Sequence, residues 1–187
     1  MFRSNMLLSA IAMIWFATGL TTRTSQFVEA PQYAARGGAA ALVAGDFNGD
    51  GKPDLAADST SNGISVLLGT ATGFEAAVDY NTGFGPTGVA AADFNGDGKL
   101  DLVTANSGGR TMSVLLGNGD GTFRPRIDYW AGSGPSSIVV GDFNNDGKLD
   151  VAVTNVKGAN ISVLLGNGDG TFQTPLNSAK RGQLQMR

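Results

Sequence analysis

Two residue types are missing from this chain of 187 residues, which has no cysteine and no histidine. Without cysteine there is no disulfide, no thiol nucleophile and no cysteine-linked lipid anchor. Without histidine there is neither an imidazole zinc site nor a Ser-His-Asp triad. Charge is sparse as well: 13 Lys and Arg stand against 16 Asp and Glu, a net charge of −3. Nine of the 16 acids are aspartates of three short loops, so basic residues prevail elsewhere. They form no basic run, which argues against nucleic acid as a partner.

Long hydrophobic runs are few. Met6 to Leu20 spans 15 residues, short of the roughly 20 that cross a bilayer. Arg3 precedes the run, and Ala17-Thr18-Gly19 offers small residues for cleavage. This pattern predicts a secretory signal over residues 1–22 rather than a stable membrane span, with an uncleaved N-terminal anchor as the alternative. The expected location is extracellular or periplasmic.

What the chain does have is glycine, 28 residues of it, and 42% hydrophobic content. Both suit a globular protein of many short strands joined by tight turns. One nine-residue stretch recurs three times: Asp46 to Asp54 (DFNGDGKPD), Asp93 to Asp101 (DFNGDGKLD) and Asp142 to Asp150 (DFNNDGKLD). Each places an oxygen-bearing side chain at positions 1, 3, 5 and 9, with Gly at position 6. Hard oxygen donors at alternate residues around a sharp turn are the spacing of a calcium loop. The side-chain candidates are Asp46, Asn48, Asp50 and Asp54; Asp93, Asn95, Asp97 and Asp101; and Asp142, Asn144, Asp146 and Asp150.

The loop is not an EF-hand. That motif needs a bidentate Glu at position 12 between helices, and position 12 here holds Ala57, Thr104 or Val153. Short apolar runs follow position 9 and read as buried strands, so the loop joins two strands.

The flanks repeat with the loops. From Asp46 to Asp93 is 93 − 46 = 47 residues, and from Asp93 to Asp142 is 142 − 93 = 49. Ile64-Ser65-Val66-Leu67-Leu68-Gly69 returns at 112–117 and 161–166, and the pair Phe74…Tyr80 returns as Phe123…Tyr129 and, upstream, as Phe27…Tyr33. Such a period lies in the range of propeller blades. Each unit reads as four strands. The first is Val89–Ala92 or Ile138–Gly141, the second Leu102–Ala105 or Val151–Thr154. The third is the Ser-Val-Leu-Leu run, and the fourth begins at Phe and reaches Tyr. The Gly-Asn-Gly-Asp-Gly turns at 117–121 and 166–170 read as plain hairpin turns, since no Lys-Ser/Thr pair follows to make a phosphate loop. Tyr129 and Trp130 are expected to pack between blades rather than to form a sugar platform.

The Asp-Phe-Asn-Gly-Asp-Gly-Lys-x-Asp loop between short strands resembles the FG-GAP/VCBS repeat, which builds the β-propellers of integrin α subunits and of several lectins. The resemblance covers about residues 27–178, leaving 179–187 as an irregular tail, and implies an all-β fold of four-stranded antiparallel blades. It also implies about three Ca²⁺ ions, one per loop, with the backbone oxygens of Lys52, Lys99 and Lys148 joining the twelve side chains named above. Three units fall short of the four or more blades of closed propellers. An open fragment, a longer chain supplying further blades, and a homodimer forming a six-bladed ring are alternatives. The function implied is recognition or scaffolding through a glycan or protein ligand, with structural Ca²⁺ and no catalysis. The alternatives are an accessory part of a larger polysaccharide-acting enzyme and a truncated propeller without independent function.

Overall fold

The computed structural model describes residues 31–59, 63–174 and the backbone of 176–177. The chain divides into two compact units, and the described fold lies in the second, residues 32–187. The expected signal over 1–22, most of the upstream Phe27…Tyr33 segment and the tail 179–187 lie outside the described residues. Among the described residues every regular element is a strand.

Three four-stranded antiparallel sheets follow one another as blades. Blade 1 holds β1 (Leu42–Gly45), β2 (Asp54–Ser59), β3 (Gly63–Leu67) and β4 (Val78–Asn81). Blade 2 holds β5 (Pro86–Ala92), β6 (Asp101–Asn106), β7 (Thr111–Leu115) and β8 (Ile127–Trp130). Blade 3 holds β9 (Pro135–Gly141), β10 (Asp150–Asn155), β11 (Asn160–Leu164) and β12 (Leu176–Asn177). In every sheet each strand pairs with the next in the chain. The blades meet through their first strands, β1 against β5 and β5 against β9, and the three sheets do not close into a ring. The fold is an open, propeller-like row of three repeats.

Burial explains the apolar runs of the middle strands. Blade 2 has a neighbour on each side, so β6 is buried along its whole length and needs no polar alternation. Phe47, Ala56, Ile64 and Val66 of blade 1 interlock with Leu102, Leu115 and Phe123 of blade 2. Phe94, Val103, Met112 and Val114 of blade 2 meet Val151, Val153, Leu164 and Phe172 of blade 3 in the same way. Each buried Val, Leu, Ile, Phe or Met among them contributes about 1.5–3 kcal/mol. Backbone bonds fasten the junctions: Gly121 N–H donates to the Phe47 carbonyl at 3.0 Å and Gly170 N–H to that of Phe94 at 3.1 Å. Thr87, at an irregularity in the β5 register, adds a hydroxyl bond to the Pro135 carbonyl at 3.0 Å.

Two strand expectations shift. The first strands begin earlier than the sequence pattern indicates, at Pro86 and Pro135, where a ladder tolerates a residue without an N–H. The fourth strands begin later. Phe74, Phe123 and Phe172 make isolated bridges to Gly69, Gly117 and Gly166, and in blade 2 Pro125, with no N–H to give, separates Phe123 from β8.

Candidate metal centre

Each loop begins where a first strand ends and closes where the second begins. In loop 2 the backbone wraps around Asp93. Its Oδ1 accepts the N–H groups of Gly96 at 2.7 Å and Asp97 at 3.2 Å, and its Oδ2 accepts that of Gly98 at 2.8 Å. Asn95 Oδ1 accepts from Asp97 N–H at 2.9 Å, and Asp97 Oδ1 from Lys99 N–H at 3.0 Å. Turning so many amides inward needs positive φ at two positions. Gly96 and Gly98 supply it at 71° and 80°; in loop 3 Asn145 and Gly147 do so at 59° and 81°. Asn is among the few other residues that tolerate this region.

The ninth residue has a second role that sequence spacing did not reveal. Asp54, Asp101 and Asp150 are fully buried. Asp101 Oδ2 accepts the Phe94 N–H at 3.0 Å, and its Oδ1 accepts the Gly117 N–H at 2.8 Å. Asp54 does the same with Phe47 and Gly69, and Asp150 with Phe143 and Gly166. This carboxylate therefore ties the loop to the end of the third strand. The glycine it holds passes so close to the loop that a Cβ on Gly117 would lie 2.2 Å from the Leu100 carbonyl oxygen.

Negative charge is crowded in loop 2. Burial raises the Asp101 pKa against two amide bonds, and the charges of Asp97 and Asp93 push it further up. In loop 3 the Gly147 amide, with others, holds Asp142 low, which keeps it charged near neutral pH. Loop 1 differs: the Lys52 ammonium lies 2.7 Å from Asp50 Oδ2 and lowers the Asp50 pKa. Lys52 was expected to offer only its backbone oxygen, so this exposed pair is an addition. In loops 2 and 3 the same oxygen accepts instead from the amide of Asn95 or Asn144, at 3.2 and 3.0 Å.

The donor set fits a hard cation in its chemistry. All side-chain candidates are oxygen ligands, and Asp93 Oδ2 and Asn95 Oδ1 each accept one hydrogen bond, which leaves a lone pair on each. Yet no three acidic side chains among the described residues already converge to hold an ion.

Five of the acids outside the loops have structural partners. Ser65 and Ser113, buried in the third strands, donate to Asp79 and Asp128, each at 2.6 Å. Ser113 also accepts from Asn106 Nδ2 at 2.8 Å and from the Gly83 N–H at 2.9 Å. The serine was legible only as part of a repeated run; its place as a hub was not. Asp58 Oδ1 accepts the amides of Ala40 and Ala41, both at 2.8 Å. Asp120 and Asp169 close their own turns by accepting from Thr122 and Thr171, consistent with plain hairpin turns. Tyr129 packs between blades as expected, whereas Trp130 is 50% exposed and lies outside that stack. Two open grooves of about 490 and 500 Å³ lie along the outer edge, one beside Tyr80, Arg124 and Arg126, the other beside Tyr33, Arg36 and Phe74.

Three four-stranded blades with an Asx-rich loop at the same corner of each define a β-repeat protein of propeller type. The family described as FG-GAP-like repeat matches residues 46–104, 93–153 and 142–183. The chain belongs to that family. No curated protein matches it at a significant level. Among the described residues no helix is long and apolar enough to cross a membrane.

Proposed function

We propose that this chain is a secreted recognition or scaffolding module whose three loops bind Ca²⁺ for stability rather than for chemistry. The observation that carries the reading is the triple recurrence of one oxygen-donor spacing on one strand-loop-strand frame, with charge crowding at Asp93, Asp97 and Asp101. Asp93, Asn95, Asp97, Asp101 and the Lys99 carbonyl would hold the ion of loop 2, with their counterparts in loops 1 and 3. A bound cation would offset the mutual repulsion of the carboxylates and clamp two strands.

The non-catalytic reading is supported by where five of the other acids are spent. Asp58, Asp79, Asp128, Asp120 and Asp169 each accept bonds within their own blade or its connector. These five carboxylates are engaged in structural bonds rather than free for general acid–base work. The open grooves suit an extended glycan or a protein segment more than a small enclosed substrate.

Thermal melting with Ca²⁺, with Mg²⁺ and with chelator tests the metal. An ion present at 100 times its dissociation constant stabilises by about 2.7 kcal/mol per site. A melting temperature that rises with Ca²⁺ more than with Mg²⁺ supports the reading. Identical melting in Ca²⁺ and chelator overturns it.

A further inference from the structure

The face of blade 3 turned away from blade 2 is built like a buried surface and is not buried. In blades 1 and 2 the corresponding face receives the next blade: Phe47 and Ile64 are 2% and 0% exposed, and Phe94 and Met112 are 3% and 0%. At the same positions of blade 3, Phe143 and Ile161 are 48% and 53% exposed, and Val139 on the same face is 59% exposed. Accordingly β11 alternates between buried and exposed where its counterpart β7 is closed. Three large apolar side chains on one open sheet face mark an interaction surface.

The other end of the row carries the matching half. Blades 2 and 3 present Leu102, Leu115 and Phe123, or Val151, Leu164 and Phe172, to the blade before them. Blade 1 has Leu55, Leu67 and Phe74 at those positions. Residues 33–36 also treat blade 1 as residues 80–83 treat blade 2. Tyr33 meets Phe74 edge-on at 5.2 Å, as Tyr80 meets Phe123 at 5.3 Å. The Arg36 N–H donates to Ser65 Oγ at 3.0 Å, as the Gly83 N–H donates to Ser113 Oγ at 2.9 Å. Blade 1 is thus fitted with the contacts that a preceding blade normally supplies.

We propose that the open face of blade 3 docks blade 1 of a second copy of this chain, head to tail, and that the reciprocal junction closes a six-bladed ring. The tyrosines favour this occupant. Each junction carries one such ring, contributed by the blade before it: Tyr80 to Phe123, Tyr129 to Phe172. In the sequence Ser178 stands six residues after Phe172, where Tyr129 stands six after Phe123, so the third repeat brings no such tyrosine. Tyr33, already against Phe74, is then the one ring of the new junction. Two identical head-to-tail junctions related by a twofold axis close, and six blades lie within the usual range of four to eight.

The test is the mass and shape of the full-length chain, expressed with its native N-terminus, by sedimentation equilibrium and small-angle X-ray scattering. A mass twice that of the monomer and a compact ring-like profile are expected. The double variant Phe143→Asp/Ile161→Asp should sediment as a monomer with unchanged β-sheet circular dichroism. Should it not fold, Val139→Glu on the same face is read instead, with the same expected loss of dimer. A monomeric wild type, a dimer that survives these substitutions, or an open-ended assembly overturns the proposal. So does an elongated dimer, which would mean that two blade 3 faces meet each other.

Discussion

Tyr129 of blade 2 meets Phe172 of blade 3 edge-on, with ring centroids 5.6 Å apart and planes at 75°. Tyr80 and Phe123 make the same contact one junction earlier. The six-residue spacing from Phe to Tyr within a unit therefore serves two different junctions. The Phe plugs the junction behind its blade, and the Tyr reaches across the junction ahead.

Removing that ring weakens the junction. Tyr129→Ala is expected to lower stability by about 2–4 kcal/mol, as for other large-to-small changes at packed aromatic sites, and Tyr129→Phe by much less. Trp130→Ala next door, half exposed, is expected to stay within about 0.5 kcal/mol of wild type. Urea denaturation of the three variants checks the ranking.

Position 9 and position 5 of a loop separate structure from metal. Asp101→Asn leaves one of two buried N–H groups without its carboxylate acceptor, a loss of about 1–3 kcal/mol that persists in chelator. Asp97→Asn, an exposed change, is expected to reduce the calcium-dependent rise in melting temperature and to leave melting in chelator nearly unaltered. Melting curves of both variants with and without Ca²⁺ decide the matter. A chelator-resistant defect in Asp97→Asn equal to that of Asp101→Asn would contradict the division of roles.

Gly117→Ala tests the close approach beneath the loop. Its Cβ would meet the Leu100 carbonyl oxygen at 2.2 Å, and backbone on both sides leaves no flexible side chain to yield. A loss of about 1–3 kcal/mol, typical of overpacking, is expected in chemical denaturation.

Alkaline pH tests Tyr80. Burial raises its pKa above the ordinary 10.0, the Phe123 backbone bond opposes this, and the charge of Asp120 adds to the rise. The folded state thus holds the proton more tightly than the unfolded state. This contribution is complete below pH 10.0 and is lost as pH rises through the elevated value. Tyr80→Phe is expected to flatten the decline in stability above that pH, and denaturation midpoints across the alkaline range measure it.

The loops were legible because their structure is local. Asp93, Asn95, Gly96 and Gly98 close a turn among themselves within a few residues, so residue type and spacing suffice. The Ser113 hub was not legible: Gly83, Asn106 and Asp128 come to it from three separate segments of chain. Nor was the second role of Asp101, whose partner Gly117 lies 16 residues away. The late start of the fourth strands was missed because Phe123 looks like a strand residue and acts as a plug.

By itself the sequence determined the repeat, its four-strand unit, the family and the donor spacing of the loops, all of which depend on turn chemistry and on a period set by one blade. Tertiary structure alone decided which copies of a repeated residue are covered. Ile64 and Ile161 sit in nearly the same run, Ile-Ser-Val-Leu-Leu-Gly, yet one is buried and the other is half exposed. The difference is whether another blade stands against the sheet, and burial is a property of that neighbour, not of the residues around the isoleucine.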